Sequence, residues 1–316
     1  MIINNIMSKN KDSEKRKCHD HEANPSKNMR AVIINVDDLG LSGAVNEAVI
    51  HLAELRRICA SSYMVGGVIT DGDIRKLSEL DVDIGLHLDL TGVFRSSLQG
   101  SLKSLILASY LRQLNIEQVT NIIKQQLDAF EDKFGHAPVF IDGHQHIHQL
   151  PVIRYCLANE LNRRYGGNNA QTNISARITT PLINDFKSWV IYVLGGYAWR
   201  KLCEHHHMST NDYFGGVYDF NANSLKLALL WEKWLIKAPR TTGLSSMFAK
   251  IPTSIHTNLS TTLIMCHPAV PDNSWQDEIK VARETEYTWL MSHEFSELIQ
   301  RKDVKLVNWS NNIAIN

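Results

Sequence analysis

Short runs of apolar, often β-branched residues alternate along the chain with longer stretches whose apolar residues recur every three to four positions. The short runs are typical of buried strands in a parallel sheet, and the longer stretches are typical of helices that pack one face on it. The predicted strands are Ala31–Val36, Ala60–Val65, Val82–Leu90, Pro138–Ile141, Ile174–Ile178, Thr241–Met247, Thr261–Cys266 and Val304–Asn308. This alternation predicts an α/β protein, a single-domain distorted (β/α) barrel of the TIM-like type with a mostly parallel sheet; an open doubly wound sheet is the alternative.

Helix boundaries are marked most clearly in three places. Ser42 is a predicted N-cap directly after the first strand, and Ile116–Phe134 is an amphipathic helix that Gly135 ends. The stretch Glu278–Gln300 is mostly helical in pattern. The tryptophan-rich region from Phe186 to Ala238 gives no clear pattern of strands, and we expect it to determine substrate specificity.

The first 29 residues are rich in Asn, Lys and Ser and contain no apolar core of a signal peptide. So polar a segment cannot bury enough apolar surface to fold by itself. We therefore expect residues 1–29 to form a disordered tail ahead of one domain that spans residues 30–312.

Composition narrows the choice of partner. The 33 Lys and Arg residues balance the 33 Asp and Glu residues, so the overall charge predicts neither nucleic acid nor an anionic membrane as a partner. No apolar run is long enough to span a bilayer, and the five cysteines are scattered without metal-binding spacing. We expect a cytoplasmic protein with reduced thiols, a small-molecule substrate and, as an open option, a homo-oligomeric state.

Polar residues that can carry chemistry stand at or just beyond the ends of four predicted strands. They are Asp37, Asp38, His87, His144 and His267. The carboxyl ends of parallel strands gather on one face of a barrel, where active sites form, so these residues should meet in space. Taken singly, each has an ordinary explanation, such as a solvated acidic turn or a hydrogen-bonded core histidine.

The densest of these segments runs from Asp142 to His148. In an extended chain its alternate residues Asp142, His144, His146 and His148 would all point to one face. A solvated, histidine-rich turn is the alternative. Two histidines and one carboxylate form a familiar facial set for a catalytic divalent metal, so we predict one ion, zinc or magnesium, with manganese or cobalt as alternatives.

Four motifs together resemble those of the YdjC-like carbohydrate deacetylase family. They are Asn35-Val36-Asp37-Asp38-Leu39-Gly40, Gly85-Leu86-His87-Leu88-Asp89-Leu90-Thr91, Asp142-Gly143-His144-Gln145-His146-Ile147-His148 and Met265-Cys266-His267-Pro268-Ala269. The first departs mildly from the family pattern, in that Val36 and Leu39 replace Ala and Phe. The resemblance implies a distorted barrel and the metal-dependent removal of an acetyl group from an N-acetylated sugar or oligosaccharide.

The resemblance also implies roles for individual residues. Asp38, His87 and His144 would be the metal ligands, Asp37 would be the general base, and His267 would protonate the leaving amine or stabilise the intermediate. Because Asp37 and Asp38 are adjacent, the sequence leaves their roles interchangeable.

Five further residues are candidates for supporting roles. Asp142 and His146 are expected to orient the ligands, and His148 to do so or to be a buried hydrogen-bonding group. Arg177 would hold a substrate hydroxyl or acidic group, or form a structural ion pair. Asp89 would polarise a histidine or face solvent.

Two other functions remain open at this point. One is a metal-independent glycoside hydrolase that uses two carboxylates, which would leave the histidines without a role. The other is a sugar-binding protein of the same fold that has lost turnover.

Overall fold

The structure, a computed structural model, describes residues 29–94, 98, 100–166, 173–240 and 260–310. Eight strands lie within these residues: β1 (Arg30–Leu39), β2 (Ala60–Tyr63), β3 (Asp83–Leu88), β4 (Phe140–Gly143), β5 (Ser175–Ala176), β6 (Tyr213–Gly215), β7 (Thr261–Cys266) and β8 (Val304–Leu306). The predicted strand Thr241–Met247 and nearly all of the predicted tail lie outside the described residues.

All strand pairs are parallel, and β1 is the centre of the sheet. The order is β5-β4-β3-β2-β1-β7-β6, with β8 paired to the start of β1. The two ends of this order approach each other, since Ala176 of β5 bridges Thr210, which lies just before β6, and the Ala176 amide donates to the Ser209 carbonyl at 2.8 Å. The sheet therefore forms a distorted, incompletely paired (β/α) barrel, which confirms the predicted fold class.

Alternation along β1 separates two apolar layers. Val32 and Ile34 pack with the surrounding helices, whereas Ile33 packs with residues that fill the barrel interior, including Phe140 and Trp309. The interior face of β1 continues from Ile33 through Asn35 to Asp37, because successive inward side chains are two residues apart. The barrel interior is thus apolar at one end and polar at the carboxyl ends of its strands.

Ten helices lie in the described part of the chain. They are α1 (Gly43–Glu54), α2 (Asp71–Glu79), α3 (Leu102–Tyr110), α4 (Ile116–Phe134), α5 (Ile153–Tyr165), α6 (Phe186–Ile191), α7 (Tyr197–His205), α8 (Ser224–Lys237), α9 (Lys280–Met291) and α10 (His293–Arg301). The Ser42 N-cap and the α4 boundaries are confirmed. The stretch predicted as mostly helix from Glu278 is two helices, because Ser292 ends α9 and its hydroxyl accepts the first-turn amide of Phe295.

The tryptophan-rich region from Phe186 to Ala238, whose sequence gave no clear pattern of strands, contains β6 and three helices. The helices α6 and α7 are joined through a π-helical segment, Tyr192–Gly196. Its tryptophans mostly build the core: Trp199, Trp231 and Trp234 are almost completely buried, and Trp189 is 45% exposed. Among the helices in the described residues, none has the combined length and apolar character that a membrane crossing would need.

A close contact between β3 and β4 provides a test of packing inside the barrel. A Cβ atom added at Gly85 would lie 2.6 Å from ring atoms of Phe140, and that ring is stacked on Trp309 with 5.1 Å between centroids. The Phe140 side chain is fully buried and cannot move aside cheaply. Gly85 is therefore required by interior packing.

We expect Gly85→Ala to lower the free energy of unfolding by about 1–3 kcal/mol, as overpacked cores do. Urea unfolding measures this change. Gly43→Ala is the matched control, because no atom lies within 4 Å of its added Cβ, at the start of α1. It should be neutral or stabilising by up to about 1 kcal/mol. Equal effects of the two variants would contradict the packing argument.

Candidate active site

Polar residues lie at or just beyond the carboxyl ends of five of the strands, at the same end of the barrel. Asp37 on β1, His87 on β3 and Asp142 on β4 occupy this layer, and Arg177 and His267 directly follow β5 and β7. The register of the sheet places His87 beside Asp142 on the neighbouring strand. Residues far apart in sequence therefore meet because they occupy equivalent positions on adjacent parallel strands.

The backbone at Asp38 explains how two consecutive carboxylates reach one site. In a regular strand their side chains would point to opposite faces. The pairing of β1 with β2 shifts register between Val36 and Leu39, and Asp38 has a positive φ of 69°. Positive φ is costly for a non-glycine residue and is concentrated at functional sites.

Three groups that can bind a metal converge beside this irregularity. Asp38 Oδ1 lies 3.1 Å from His144 Nδ1 and 3.3 Å from His87 Nε2. Separations of about 3 Å suit atoms that share one ion at bond lengths near 2.0–2.2 Å. The donor set of two imidazoles and one carboxylate therefore fits a divalent cation, and it consists of the three residues for which the family resemblance implies a ligand role.

His87 is held from its other side. Its Nδ1 lies 2.6 Å from Asp142 Oδ1 and 3.1 Å from the hydroxyl of Ser62. Burial alone would lower the pKa of His87, but the charge and hydrogen bonds of the neighbouring carboxylates outweigh burial and raise it to about 10. A carboxylate bound to the far nitrogen fixes the ring and leaves Nε2 free for a metal.

Asp37 forms a bidentate ion pair with the buried guanidinium of Arg177. The two nitrogens Nη1 and Nη2 contact the two carboxylate oxygens at 2.7 and 2.5 Å, and Asn35 Nδ2 donates to Oδ1 at 2.7 Å. Burial opposes ionisation of Asp37, yet the charge and hydrogen bonds of Arg177 prevail, and its pKa lies below the usual range. Asp37 is therefore an oriented, ionised carboxylate.

A second group of possible ligands, Asp37, His87 and Asp142, lies deeper in the barrel. Arg177 already occupies its centre, because Nη2 contacts Asp142 Oδ2 at 2.5 Å as well as Asp37. A cation there would meet a buried guanidinium at close range. Of the two groups, the one containing Asp38 and His144 suits a metal better.

The prediction that residues 142, 144, 146 and 148 share a face is wrong. β4 ends at Gly143, and His144–Gln149 form a 3-10 turn with positive φ at Gln145 and His146. A Cβ at Gly143 would lie 3.0 Å from the backbone nitrogen of His148, so glycine permits this tight reversal. The turn sends the three histidines to different places.

Two of these histidines lie away from the candidate metal group. The His146 ring packs edge-on against Phe214, and burial together with the nearby charge of Arg177 lowers its pKa to about 3. His148 Nε2 contacts the Arg177 carbonyl at 3.2 Å, and burial, with a smaller effect of His146, holds its pKa well below the usual range. His148 therefore supports the backbone at Arg177, directly after β5.

Asp89 has neither of the two expected roles: its side chain is buried, and the hydrogen bonds that the structure shows for its carboxylate come from backbone amides, not from a histidine. Its carboxylate accepts hydrogen bonds from the amides of Thr91, Gly92 and Phe94 at 2.7–2.9 Å. The backbone of Asp89 is bound in turn by the side chain of Gln126. Asp89 therefore holds the loop after β3.

His267 lies beside Asp37, with 3.9 Å between His267 Nε2 and Asp37 Oδ2. Its backbone amide donates to the buried Glu286, which also accepts a hydrogen bond from Tyr218 at 2.6 Å. The Phe220 ring packs edge-on against the imidazole. These contacts fix the imidazole beside the base candidate.

Sequence reasoning missed Arg283 and Glu286, which both project from α9. Arg283 Nη2 contacts Asp38 Oδ2 at 2.7 Å, and its Nε contacts Asp277 at 2.6 Å. Both residues lie within an ordinary amphipathic helix, so nothing local in the sequence distinguishes them from surface charges. What distinguishes them is their burial in the structure, where each is 2% exposed.

A cavity of about 790 Å³ is lined by Asp37, Asp38, His87, His144, His267 and Arg283, among other residues. The acid and histidine residues form part of it, and α6 supplies another part through Phe186, Lys187, Val190 and Ile191. Phe186 is 84% exposed, so its ring is available to a ligand. The region predicted to determine specificity thus contributes directly to the cavity.

Comparison with known proteins agrees with this architecture. The chain is 28% identical over 132 residues to a chitooligosaccharide deacetylase of Enterobacter sp. (strain 638), a match that covers 39% of this chain and 52% of that one. The match therefore spans about half the length of this curated relative.

Two solved structures share the fold. A candidate cellobiose-phosphate cleavage protein from Enterococcus faecalis V583 matches with a TM-score of 0.60 at 18% identity, covering 90% of this chain and 98% of that one. A protein of Agrobacterium tumefaciens C58 matches with a TM-score of 0.50 at 9% identity, covering 90% and 89%.

A match to a protein family covers most of the folded chain. Residues 31–301 match the family described as YdjC-like protein, from the start of β1 to the end of α10. The matched segment contains all the candidate site residues. This chain belongs to the YdjC-like protein family.

Proposed function

We propose that the protein is a carbohydrate N-deacetylase, a hydrolase that removes an acetyl group from an N-acetylated sugar or oligosaccharide with one divalent metal ion. The observation that carries the proposal is the convergence of His87 Nε2 and His144 Nδ1 on Asp38 Oδ1, at 3.3 and 3.1 Å, in a cavity that Asp37 and His267 also line. Family membership and the name of the Enterobacter relative support this reaction.

Asp38, His87 and His144 are the proposed ligands, and zinc or magnesium, or else manganese or cobalt, is the proposed ion. When bound, such an ion would supply Lewis acidity to an amide carbonyl and to water. The protein's own part is to present three donors on one side and leave the cavity side open to substrate. His144 is 24% exposed at its side chain, so this opening is at His144.

Asp37 is the proposed general base. Its Oδ2 faces His267, and Arg177 prevents the carboxylate from rotating. A water molecule between the two side chains could give its proton to Asp37, while His267 could donate a proton to the departing amine. Hydrolysis of an amide needs both transfers, because an unprotonated amine is a poor leaving group.

The cavity suits a sugar in size and lining. A volume of about 790 Å³ lies within the range of small-molecule sites. Lys187, Asp277 and Glu278 provide polar groups for hydroxyls, and the exposed Phe186 ring provides an apolar face for a sugar ring. These residues are proposed contacts for the carbohydrate beyond the acetyl group.

The arrangement suits glycoside hydrolysis less well. That reaction needs two carboxylates opposed across a glycosidic bond, one of them protonated. Here Asp37 and Asp38 are neighbours, each is bound to an arginine, and the pKa of each lies below its usual range. Neither is suited to donate a proton to a leaving oxygen.

The direct test is acetate release from a panel of acetylated mono- and oligosaccharides. We expect release that a chelator abolishes and that added divalent metal restores. Release that survives complete metal removal would contradict the metal-dependent mechanism. Binding of the same sugars without any release would instead favour a sugar-binding protein of this fold.

The metal ligands can be separated from their neighbours by substitution. His87→Ala or His144→Ala should lower metal occupancy of the purified protein at least about tenfold, because each removes a ligand. His146→Ala is the matched control from the same turn, since His146 lies against Phe214. Elemental analysis after dialysis measures the occupancy. Equal losses from all three variants would mean that the ligands are misassigned.

Asp37 and Asp38 should respond differently to the same substitution. Asp37→Asn removes basicity but keeps size, so turnover should fall about a hundredfold or more while metal binding persists. Asp38→Asn should weaken metal binding, with partial recovery of turnover at high metal concentration. Steady-state kinetics with metal titration checks both. The reverse pattern would exchange the roles, and no effect from either variant would refute the mechanism.

A further inference from the structure

Arg283 occupies an unusual position for a buried arginine, beside the proposed metal ligand Asp38. Its Nη2 contacts Asp38 Oδ2 at 2.7 Å, while the other carboxylate oxygen, Oδ1, faces His87 and His144. One oxygen of the Asp38 carboxylate thus contacts the Arg283 guanidinium, and the other faces the histidines that are proposed to bind the metal. Asp277 fixes the guanidinium from behind through Nε at 2.6 Å.

A purely structural ion pair would not need this arrangement. Asp277 alone gives Arg283 a carboxylate partner, and the Asp277 side chain is 20% exposed, so that pair could form without reaching Asp38. The guanidinium nevertheless extends into the barrel with only 2% exposure, and it lines the cavity together with Asp38. Its fixed fork allows one nitrogen to serve each carboxylate.

We propose that Arg283 is a positioning residue that restricts Asp38 to one metal-facing oxygen and lowers the negative charge that the site offers to the ion. The inference rests on the proposed metal-dependent function. With Oδ2 held by the guanidinium, Asp38 would offer Oδ1 to an ion in preference to binding it through both oxygens. Because the guanidinium withdraws charge from the carboxylate, the bound ion remains a stronger electron acceptor.

The proposal predicts opposite effects on affinity and turnover. A guanidinium repels a divalent cation, and even when the interaction is screened as strongly as in water, with a dielectric constant of about 80, the repulsion across about 5 Å is equivalent to about tenfold in Kd. Arg283→Gln should therefore bind metal about tenfold more tightly than the unchanged protein. Its turnover at saturating metal should fall about tenfold or more. Loss of a merely structural contact would weaken binding or leave it unchanged.

Two companion variants separate charge from folding. Arg283→Lys keeps the positive charge, so its Kd for metal should stay within about threefold of the unchanged protein. The double variant Arg283→Gln with Asp277→Asn leaves no unpaired carboxylate at position 277, so it serves if the single variant folds poorly. It should also bind metal more tightly than the unchanged protein. Arg164→Gln is the matched control, because Arg164 is a half-buried arginine paired with Glu160, outside the lining of the cavity.

Calorimetric titration of the metal-free proteins with Zn²⁺ or Mn²⁺ measures the Kd values, and acetate release at saturating metal measures turnover. Tighter metal binding with slower turnover in Arg283→Gln, together with an unchanged Kd for metal in Arg164→Gln, would support the proposal. Equal or weaker metal binding in both glutamine-containing Arg283 variants would overturn it. Absence of metal binding by the unchanged protein would instead refute the proposed function, and this inference with it.

Discussion

The buried ion pairs of Arg177 are the interaction on which the rest of the site depends. One guanidinium, fully enclosed in the barrel, contacts Asp37 and Asp142 from two different strands. Burying either carboxylate alone would be costly, and an uncompensated guanidinium would cost more, so the three groups stabilise the folded state only together. Asp142 in turn fixes His87, and Asp37 faces His267. The orientation of both the candidate metal ligand His87 and the candidate base Asp37 therefore follows from these ion pairs.

A second arginine gives the two adjacent aspartates distinct environments. Asp37 is bound at both oxygens by Arg177, whereas Asp38 has one oxygen on Arg283 and the other on the histidines. Burial would raise the pKa of each carboxyl, but the neighbouring positive charges outweigh it in both cases. The asymmetry of contacts supports the assignment of Asp38 as ligand and Asp37 as base.

The four histidines near the site show how strongly surroundings decide the chemistry of one residue type. Three carboxylates, Asp142, Asp38 and Asp37, outweigh burial and raise the pKa of His87 to about 10, whereas burial beside Arg177 lowers that of His146 to about 3. An imidazole that burial keeps neutral is a poor proton donor, whereas a carboxylate on one nitrogen of His87 orients the ring and directs its other nitrogen at the candidate metal group. The sequence does not show this difference, which arises because His87 lies on a strand beside Asp142 and His146 lies in a tight turn against Phe214.

The sequence by itself determined the barrel and most of the residues at its carboxyl end. Apolar runs such as Thr261–Cys266 and the amphipathic helix Ile116–Phe134 have the period of their structures, and local pattern is sufficient for them. The order of strands and helices then placed Asp37, Asp38, His87, His144 and His267 on one face, since parallel strands end together.

Only the tertiary structure decided how those residues are oriented and what holds them. The positive φ at Asp38 and the reversal after Gly143 depend on packing between distant segments, so the expectation of one extended histidine face was wrong. The short strand β6 has too few residues for a period to show, and pairing with β7 defines it. Arg283 and Glu286 have the sequence pattern of ordinary helical charges, and only the approach of α9 to the strand ends buries them against Asp38 and His267.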